Sequence, residues 1–160
     1  MEWLFPWLLL LHIVGAVIAF GPTFAFPIIG AMGGAEPQHA NFATRVSSVI
    51  GDRLVAPLAL SMAVTGVGLI LVTGRNPLDR GSWWLAIAIV LYVIALVFSI
   101  AVQNRSVARV IELTSAPPPP GASGPPPELR ALVGRVQQGG ILLMVLFLVI
   151  VSLMVLKPQF

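Results

Sequence analysis

The sequence predicts an all-α fold: a polytopic membrane protein built as a four-helix transmembrane bundle. Of its 160 residues, 58% are hydrophobic and only 9% are charged, whereas about a quarter of the residues in a soluble domain are charged. The apolar residues form four separate runs, each long enough to cross a hydrocarbon core of about 30 Å. No polar segment between them is long enough for a soluble domain, so we predict a single membrane domain over residues 1–160.

The four runs define the predicted spans, at about residues 3–32, 54–72, 83–102 and 136–156. The first run is longer than one span requires, and it contains Pro22 and Pro27. Each proline removes a backbone donor, so we expect the helix to kink or break near Gly21 and the segment that follows it.

Two connections have recognisable patterns. Before the second span, Asn41 is expected to cap a short amphipathic helix whose apolar residues share one face, namely Phe42, Val46, Val49 and Ile50. Before the fourth span, residues about 114–127 are rich in proline and glycine, a composition typical of a polyproline II linker. Pro127 is suited to the first position of the helix that follows.

The distribution of basic residues predicts the orientation. Loops on the linker side carry six of the nine basic residues, Arg45, Arg53, Arg105, Arg109, Arg130 and Arg135, and the opposite side carries Arg75, Arg80 and Lys157. The positive-inside rule then places the linker in the cytoplasm and both termini outside it. Four of the six arginines are also expected to contact lipid head groups: Arg105, Arg109, Arg130 and Arg135.

Several functional classes find no support in the sequence. The net charge of +3 is explained by this topology, so the lipid bilayer is a predicted partner and nucleic acid is not. The chain has no cysteine, and no span has Asp, Glu, Lys or Arg at its centre. We identify no catalytic residues, no metal-ligand cluster and no motif of an enzyme that works without a cofactor.

His12 is the one histidine inside an apolar run, and an ionisable residue in a span indicates a functional site. It could hydrogen bond a hydroxyl of the second span, with Ser61 and Thr65 as candidates. It could instead ligate haem b or copper, or accept a proton. A second histidine ligand is not expected from the same chain, because His39 is predicted on the opposite side of the membrane. A mixed site would take its second ligand from a methionine, with Met62 and Met144 as candidates.

Short motifs along the chain resemble those of a known family. They are Leu11-His12, Phe20-Gly21, Thr65-Gly66-Val67-Gly68, a third span that opens after tryptophan, and the closing Met154-Val155-Leu156-Lys157-Pro158. Over nearly the whole chain the sequence resembles the bacterial integral membrane proteins grouped as domain of unknown function 2269. This resemblance implies a four-helix protein of the bacterial inner membrane.

That group is similar, more distantly, to the copper-resistance D membrane domains and to the four-helix, haem-dependent protoporphyrinogen oxidase. His12, Gly21 and Pro27 occupy places comparable to those of that oxidase. The chain differs in having Ile28 where the oxidase has a basic residue. The similarity therefore implies haem b as a cofactor through His12 alone.

Three functions remain open from the sequence. The first is a non-enzymatic accessory or structural subunit, which forms homo-oligomers or joins other membrane subunits through its glycine and alanine faces. The second is a haem b- or copper-associated redox protein with His12 as ligand. The third is transport of a small solute by an oligomer.

Overall fold

The computed structural model describes residues 3–115 and 124–158. In these residues the backbone is helical nearly throughout and contains no β-strand. We number the α-helices in chain order: α1 Leu4–Phe20, α2 Phe26–Ala35, α3 Ala40–Ile50, α4 Ala56–Thr73, α5 Trp83–Phe98, α6 Asn104–Ser115 and α7 Pro127–Leu156. Most of the predicted linker, residues 116–123, lies outside the described residues, and α7 begins at Pro127 as expected.

Joined end to end, these elements form four long helices, Leu4–Ala35, Pro37–Thr73, Arg80–Ser115 and Pro127–Leu156. Each is long and apolar enough to cross a membrane. At about 1.5 Å per residue they exceed a hydrocarbon core of about 30 Å, so they tilt or project beyond it. The predicted fold class, an all-α protein with four candidate spans, is confirmed.

The first long helix is interrupted where the prolines predicted it. A 3₁₀ turn over Gly21–Phe24 separates α1 from α2. Pro22 lies in this turn, and Pro27 lies in the first turn of α2, where its missing N–H costs nothing. The Thr23 hydroxyl donates to the carbonyl of Phe20 at 2.5 Å, which satisfies one of the carbonyls at the break.

The second and third long helices each contain a wide π turn, at Gly51–Val55 and at Ser99–Gln103. We attribute the first π turn to Pro57, because proline has no N–H and cannot donate a hydrogen bond to a carbonyl of the preceding turn. The Ala56 N–H instead reaches back to the carbonyl of Gly51. The second π turn contains no proline, and nothing in the local sequence predicts it.

Neighbouring helices pack as antiparallel pairs. At one end of the bundle α1 packs on α4 and α5 packs on α7, and at the other end α3 contacts both α2 and α6. Phe147 of α7 joins the first and fourth long helices, stacking on Phe20 at 4.4 Å and meeting Phe24 edge-on at 6.3 Å. We call the end that carries Trp3, Trp7, Trp83 and Trp84 the tryptophan end, and the end formed by α2, α3, α6 and the start of α7 the linker end.

The expected cap at Asn41 is wrong. The residue preceding α3 is His39, and no side chain caps the helix. The Asn41 amide instead donates to the Ile111 carbonyl at 3.1 Å and to the Thr114 hydroxyl at 2.9 Å. A contact with α6, which the local sequence does not specify, outcompetes the local capping bond.

Candidate functional site

The face of α1 that contains His12 packs against α4. Leu8, His12, Gly15 and Ala19 follow one another at helical spacings of four, three and four residues, so they lie on one face. Gly15 and Ala19 are buried. His12 is partly buried, and its ring faces the second long helix.

Glycines on α4 make room for these side chains. A methyl group built on Gly66 would lie 3.4 Å from Cε1 of His12, and one on Gly68 would lie 3.3 Å from Cδ1 of Leu8. The side chains of His12 and Leu8 therefore lie close to the α4 backbone at these glycines. The α1–α4 contact is therefore a close helix crossing of the kind that small residues permit in membranes.

One hydrogen bond joins the two helices at this site. Nδ1 of His12 lies 2.8 Å from Oγ1 of Thr65. The same hydroxyl lies 3.2 Å from the Ser61 carbonyl and 3.3 Å from the Met62 carbonyl. A hydroxyl has one proton, so if it donates to its own helix, Nδ1–H must donate to Thr65 and Nε2 keeps its lone pair. If it donates to Nδ1, the proton of the neutral ring is on Nε2.

The second ring nitrogen of His12 hydrogen bonds to no described residue. It is the atom that could ligate a metal, because its partner nitrogen is already held by Thr65. Met62 lies in the same interface, with its Cγ 3.6 Å from a methyl group built on Gly15, whereas Met144 lies on α7. Among the described residues, no group of three or more His, Cys, Asp and Glu side chains is placed to hold a metal ion.

The structure separates the other candidates from this site. The Ser61 hydroxyl donates to the Leu58 carbonyl at 2.8 Å and does not bond His12. His39 lies at the linker end, where its Nε2 is 3.7 Å from the carboxylate of Glu36. Thr65 is thus the hydroxyl that His12 meets, a choice that the sequence left open.

The four arginines predicted to contact lipid head groups lie at the linker end and are exposed, namely Arg105, Arg109, Arg130 and Arg135. Arg109 contacts two carboxylates, Glu112 at 2.7 Å and Glu128 at 3.4 Å. The second ion pair joins α6 to the start of α7 across the linker. Contact of these arginines with head groups remains a prediction.

Two polar residues without a predicted role also connect the long helices. The Tyr92 hydroxyl donates to the Ala59 carbonyl at 2.5 Å and so ties α5 to α4. The Gln103 amide donates to the Val136 carbonyl at 3.0 Å and ties the second π turn to α7. The available signal was that Tyr92 is the one tyrosine of the chain and lies in an apolar run.

Comparison with known proteins identifies the family. A family model described as a predicted integral membrane protein, DUF2269, matches residues 6–158. No curated protein and no solved structure gives a significant match. Because the match covers nearly the whole chain, from the first turn of the first long helix to beyond the end of the fourth, this protein belongs to the DUF2269 family of predicted integral membrane proteins.

Proposed function

We propose that the protein is a non-catalytic accessory or structural subunit of the bacterial inner membrane, in which His12 holds the first two spans together. The observation that carries this proposal is the contact set of His12. Its ring packs against Gly66 and bonds Thr65 between two closely crossing helices. A histidine used in this way stabilises the subunit, and it needs neither substrate nor cofactor.

A pair of open glycines supports a role in assembly. Gly30 and Gly34 of α2 are one helical turn apart, and neither has another side chain within contact distance. Pro27 and Ala31, each three residues before one of these glycines and so next to it on the helix, are also exposed. In membranes, glycines at this spacing allow a second helix to approach closely. We infer that a second copy of the chain or another membrane subunit covers this face.

The orientation proposed for this subunit follows the arginine distribution. Arginines concentrate at the linker end, which supports a cytoplasmic linker and termini outside the cytoplasm. Cysteine accessibility tests this directly, because the chain has no native cysteine. A cysteine at Gln38 should react only after the membrane is permeabilised, and one at Leu78 should react in intact cells.

The role of His12 is tested by purifying the wild type and the His12→Ala variant from cells supplied with haem precursor. Oxidised and dithionite-reduced absorption spectra are recorded together with thermal unfolding. We expect no Soret band in either protein and a lower melting temperature for His12→Ala. A Soret band that disappears in the variant would refute the structural role.

Assembly through α2 is tested by cysteine crosslinking in native membranes. Ala31→Cys places a thiol next to Gly34 on this face of α2, and Val64→Cys, 73% exposed on α4, is the matched control. We expect an oxidised, crosslinked species for Ala31→Cys but not for Val64→Cys. Equal crosslinking of the two variants, or none in either, would contradict a contact of α2 with a second copy of the chain.

A haem b- or copper-associated redox protein is the second candidate, and the unbonded Nε2 of His12 favours it. Thr65 fixes the ring through Nδ1, which is how ligating histidines are commonly oriented. The residues present fit one ligand position on a haem iron or copper ion, and the bound group would supply one-electron chemistry. A copper site would need a separate test, namely metal analysis of the wild type and of His12→Ala after dialysis. Copper retained only by the wild type would support it.

A further inference from the structure

Two cationic side chains meet at one indole at the tryptophan end. Trp84, in the first turn of α5, is only 5% exposed. Arg75, which follows α4 closely, places its guanidinium carbon 5.8 Å from the indole centroid. Lys157, which directly follows α7, places its ammonium nitrogen 5.9 Å from the same centroid. The ends of three long helices are thus joined at Trp84.

No carboxylate of the described residues neutralises either cation. The salt bridges of the described chain lie at the linker end. Asp79, in the same loop as Arg75, accepts a hydrogen bond from the Asn76 amide at 3.0 Å instead. A helix C-terminus favours a cation close to it, which accounts for each residue separately. It does not account for both cations being held within 5.9 Å of the centre of one ring.

The indole and the backbone of Lys157 add to this arrangement. The indole N–H of Trp84 donates to no described residue. Every buried polar side-chain atom of the described residues has a hydrogen-bond partner. The indole N–H must therefore be accessible at the surface. Lys157 has a φ of 44°, in the left-handed region that favours glycine. Its N–H bonds the Leu153 carbonyl at 3.0 Å and fixes the base of the side chain at the end of α7.

A shallow apolar groove of about 270 Å³, lined only by residues of α7 and by Pro158, runs along this helix up to Lys157. It begins at Val145 and ends at Leu156 and Pro158, which flank Lys157. At about 1.5 Å per residue its length is about 16 Å, similar to half of a hydrocarbon core of about 30 Å. Its one polar residue, Ser152, bonds the Leu148 carbonyl of its own helix. The groove therefore has the length and the apolar lining that suit one acyl chain, and Lys157 lies at the end where the head group of that chain would be.

We propose that Arg75, Lys157 and the indole N–H of Trp84 bind the phosphate of an anionic phospholipid, whose acyl chain occupies the groove along α7. A phosphate that accepts charge-assisted hydrogen bonds from both side chains neutralises these cations. The indole lies at the head-group level, where tryptophan is favoured. The lipid in turn joins the ends of α4, α5 and α7.

The test is native mass spectrometry of the full chain in detergent, after incubation with phosphatidylglycerol or with phosphatidylcholine. We expect phosphatidylglycerol to be retained about tenfold more than phosphatidylcholine. The double variant Arg75→Gln/Lys157→Gln should lose this preference. The control Arg45→Gln/Arg53→Gln removes the same charge from exposed positions at the linker end that are not among the predicted head-group contacts, and it should keep the preference. Equal losses in the two double variants would show a bulk charge effect and overturn the site.

Two further arms separate the lipid from free phosphate. Val149→Trp fills the groove, so it should weaken retention of the phospholipid. Inorganic phosphate in large excess should leave lipid retention unchanged. Displacement by inorganic phosphate, with no effect of Val149→Trp, would mean that the site takes a free oxyanion and would refute a lipid. If Arg75→Gln/Lys157→Gln fails to fold, Lys157→Gln alone, at an exposed side chain, must lower retention or the proposal fails.

Discussion

Two helix contacts in this protein are built in different ways. In the α1–α4 contact, a methyl group built on Gly66 or on Gly68 would lie 3.4 or 3.3 Å from the nearest side-chain carbon, and one side-chain hydrogen bond, His12 to Thr65, crosses the interface. Where the third and fourth long helices approach the linker end, the Gln103 side chain lies across Gly139, and its amide donates to the Val136 carbonyl. Farther along, Arg109 pairs with Glu128.

The difference shows two ways of joining helices. Lipid offers no hydrophobic driving force for association between helices. The α1–α4 contact is therefore stabilised by close backbone packing and by a single side-chain hydrogen bond. Near the linker end a polar side chain fills the gap between the helices and binds to the backbone. The first contact should tolerate a small added group on its glycine, whereas the second should not.

The largest effect is expected from Gly139→Ala. The new methyl group would overlap the Gln103 amide and would also crowd Phe98, whose Cε1 would lie 3.3 Å away. Gln103 would have to move and give up the Val136 carbonyl, which we expect to lower the unfolding free energy by about 2 kcal/mol. Thermal unfolding in detergent measures the change.

Gly134→Ala is the matched control, because nothing lies within contact distance of that position in the same helix. It should leave stability unchanged or raise it by up to about 1 kcal/mol through helix propensity. If Gly139→Ala were as stable as Gly134→Ala, the Gln103 side chain would be able to move away at no cost. The two helix contacts would then not differ in their tolerance of an added methyl group.

The next largest effect is expected from breaking the His12–Thr65 bond. His12→Ala, Thr65→Val and the double variant form a cycle whose coupling energy should be about 1 kcal/mol, within the range measured for interhelical hydrogen bonds in membranes. Ser61→Ala serves as the control second site, since Ser61 bonds its own helix. Coupling of His12 to Ser61 as strong as to Thr65 would contradict the observed pairing.

A smaller effect is expected from Gly66→Ala, which adds a methyl group 3.4 Å from Cε1 of His12. At this distance the imidazole needs to shift only slightly, and alanine favours helix more than glycine does, so stability should change by no more than about 0.5 kcal/mol. Gly66→Leu should be strongly destabilising, because its side chain cannot fit beside the imidazole. If Gly66→Ala costs as much as Gly139→Ala, the two contacts are equally tight.

The smallest effect is expected from Glu128→Gln, which removes one carboxylate from Arg109. Both side chains are exposed and Arg109 keeps Glu112 at 2.7 Å, so the melting temperature should fall by about 1 °C or less. High salt should abolish the difference, because exposed charges are screened. If the melting temperature instead fell by several degrees in both low and high salt, this ion pair would be a main source of stability at the linker end.

The sequence predicted the parts of the fold that depend on local chemistry. Runs of apolar residues identified four spans, and Pro22 identified the break after α1, because hydropathy and the missing proline N–H act within a few residues. The π turn at Ser99–Gln103 escaped prediction, since no proline marks it. Asn41 was misassigned as a cap, because its partners on α6 lie about seventy residues away.

The sequence by itself determined that this is a helical membrane protein with one histidine inside an apolar run, since membrane insertion responds to composition and length. The tertiary structure decided that His12 meets Thr65 rather than Ser61, although both hydroxyls lie on α4 one turn apart. It also decided that Arg75 and Lys157 meet at Trp84. Such choices depend on the rotation and crossing of whole helices, and these are set by contacts between residues far apart in the chain.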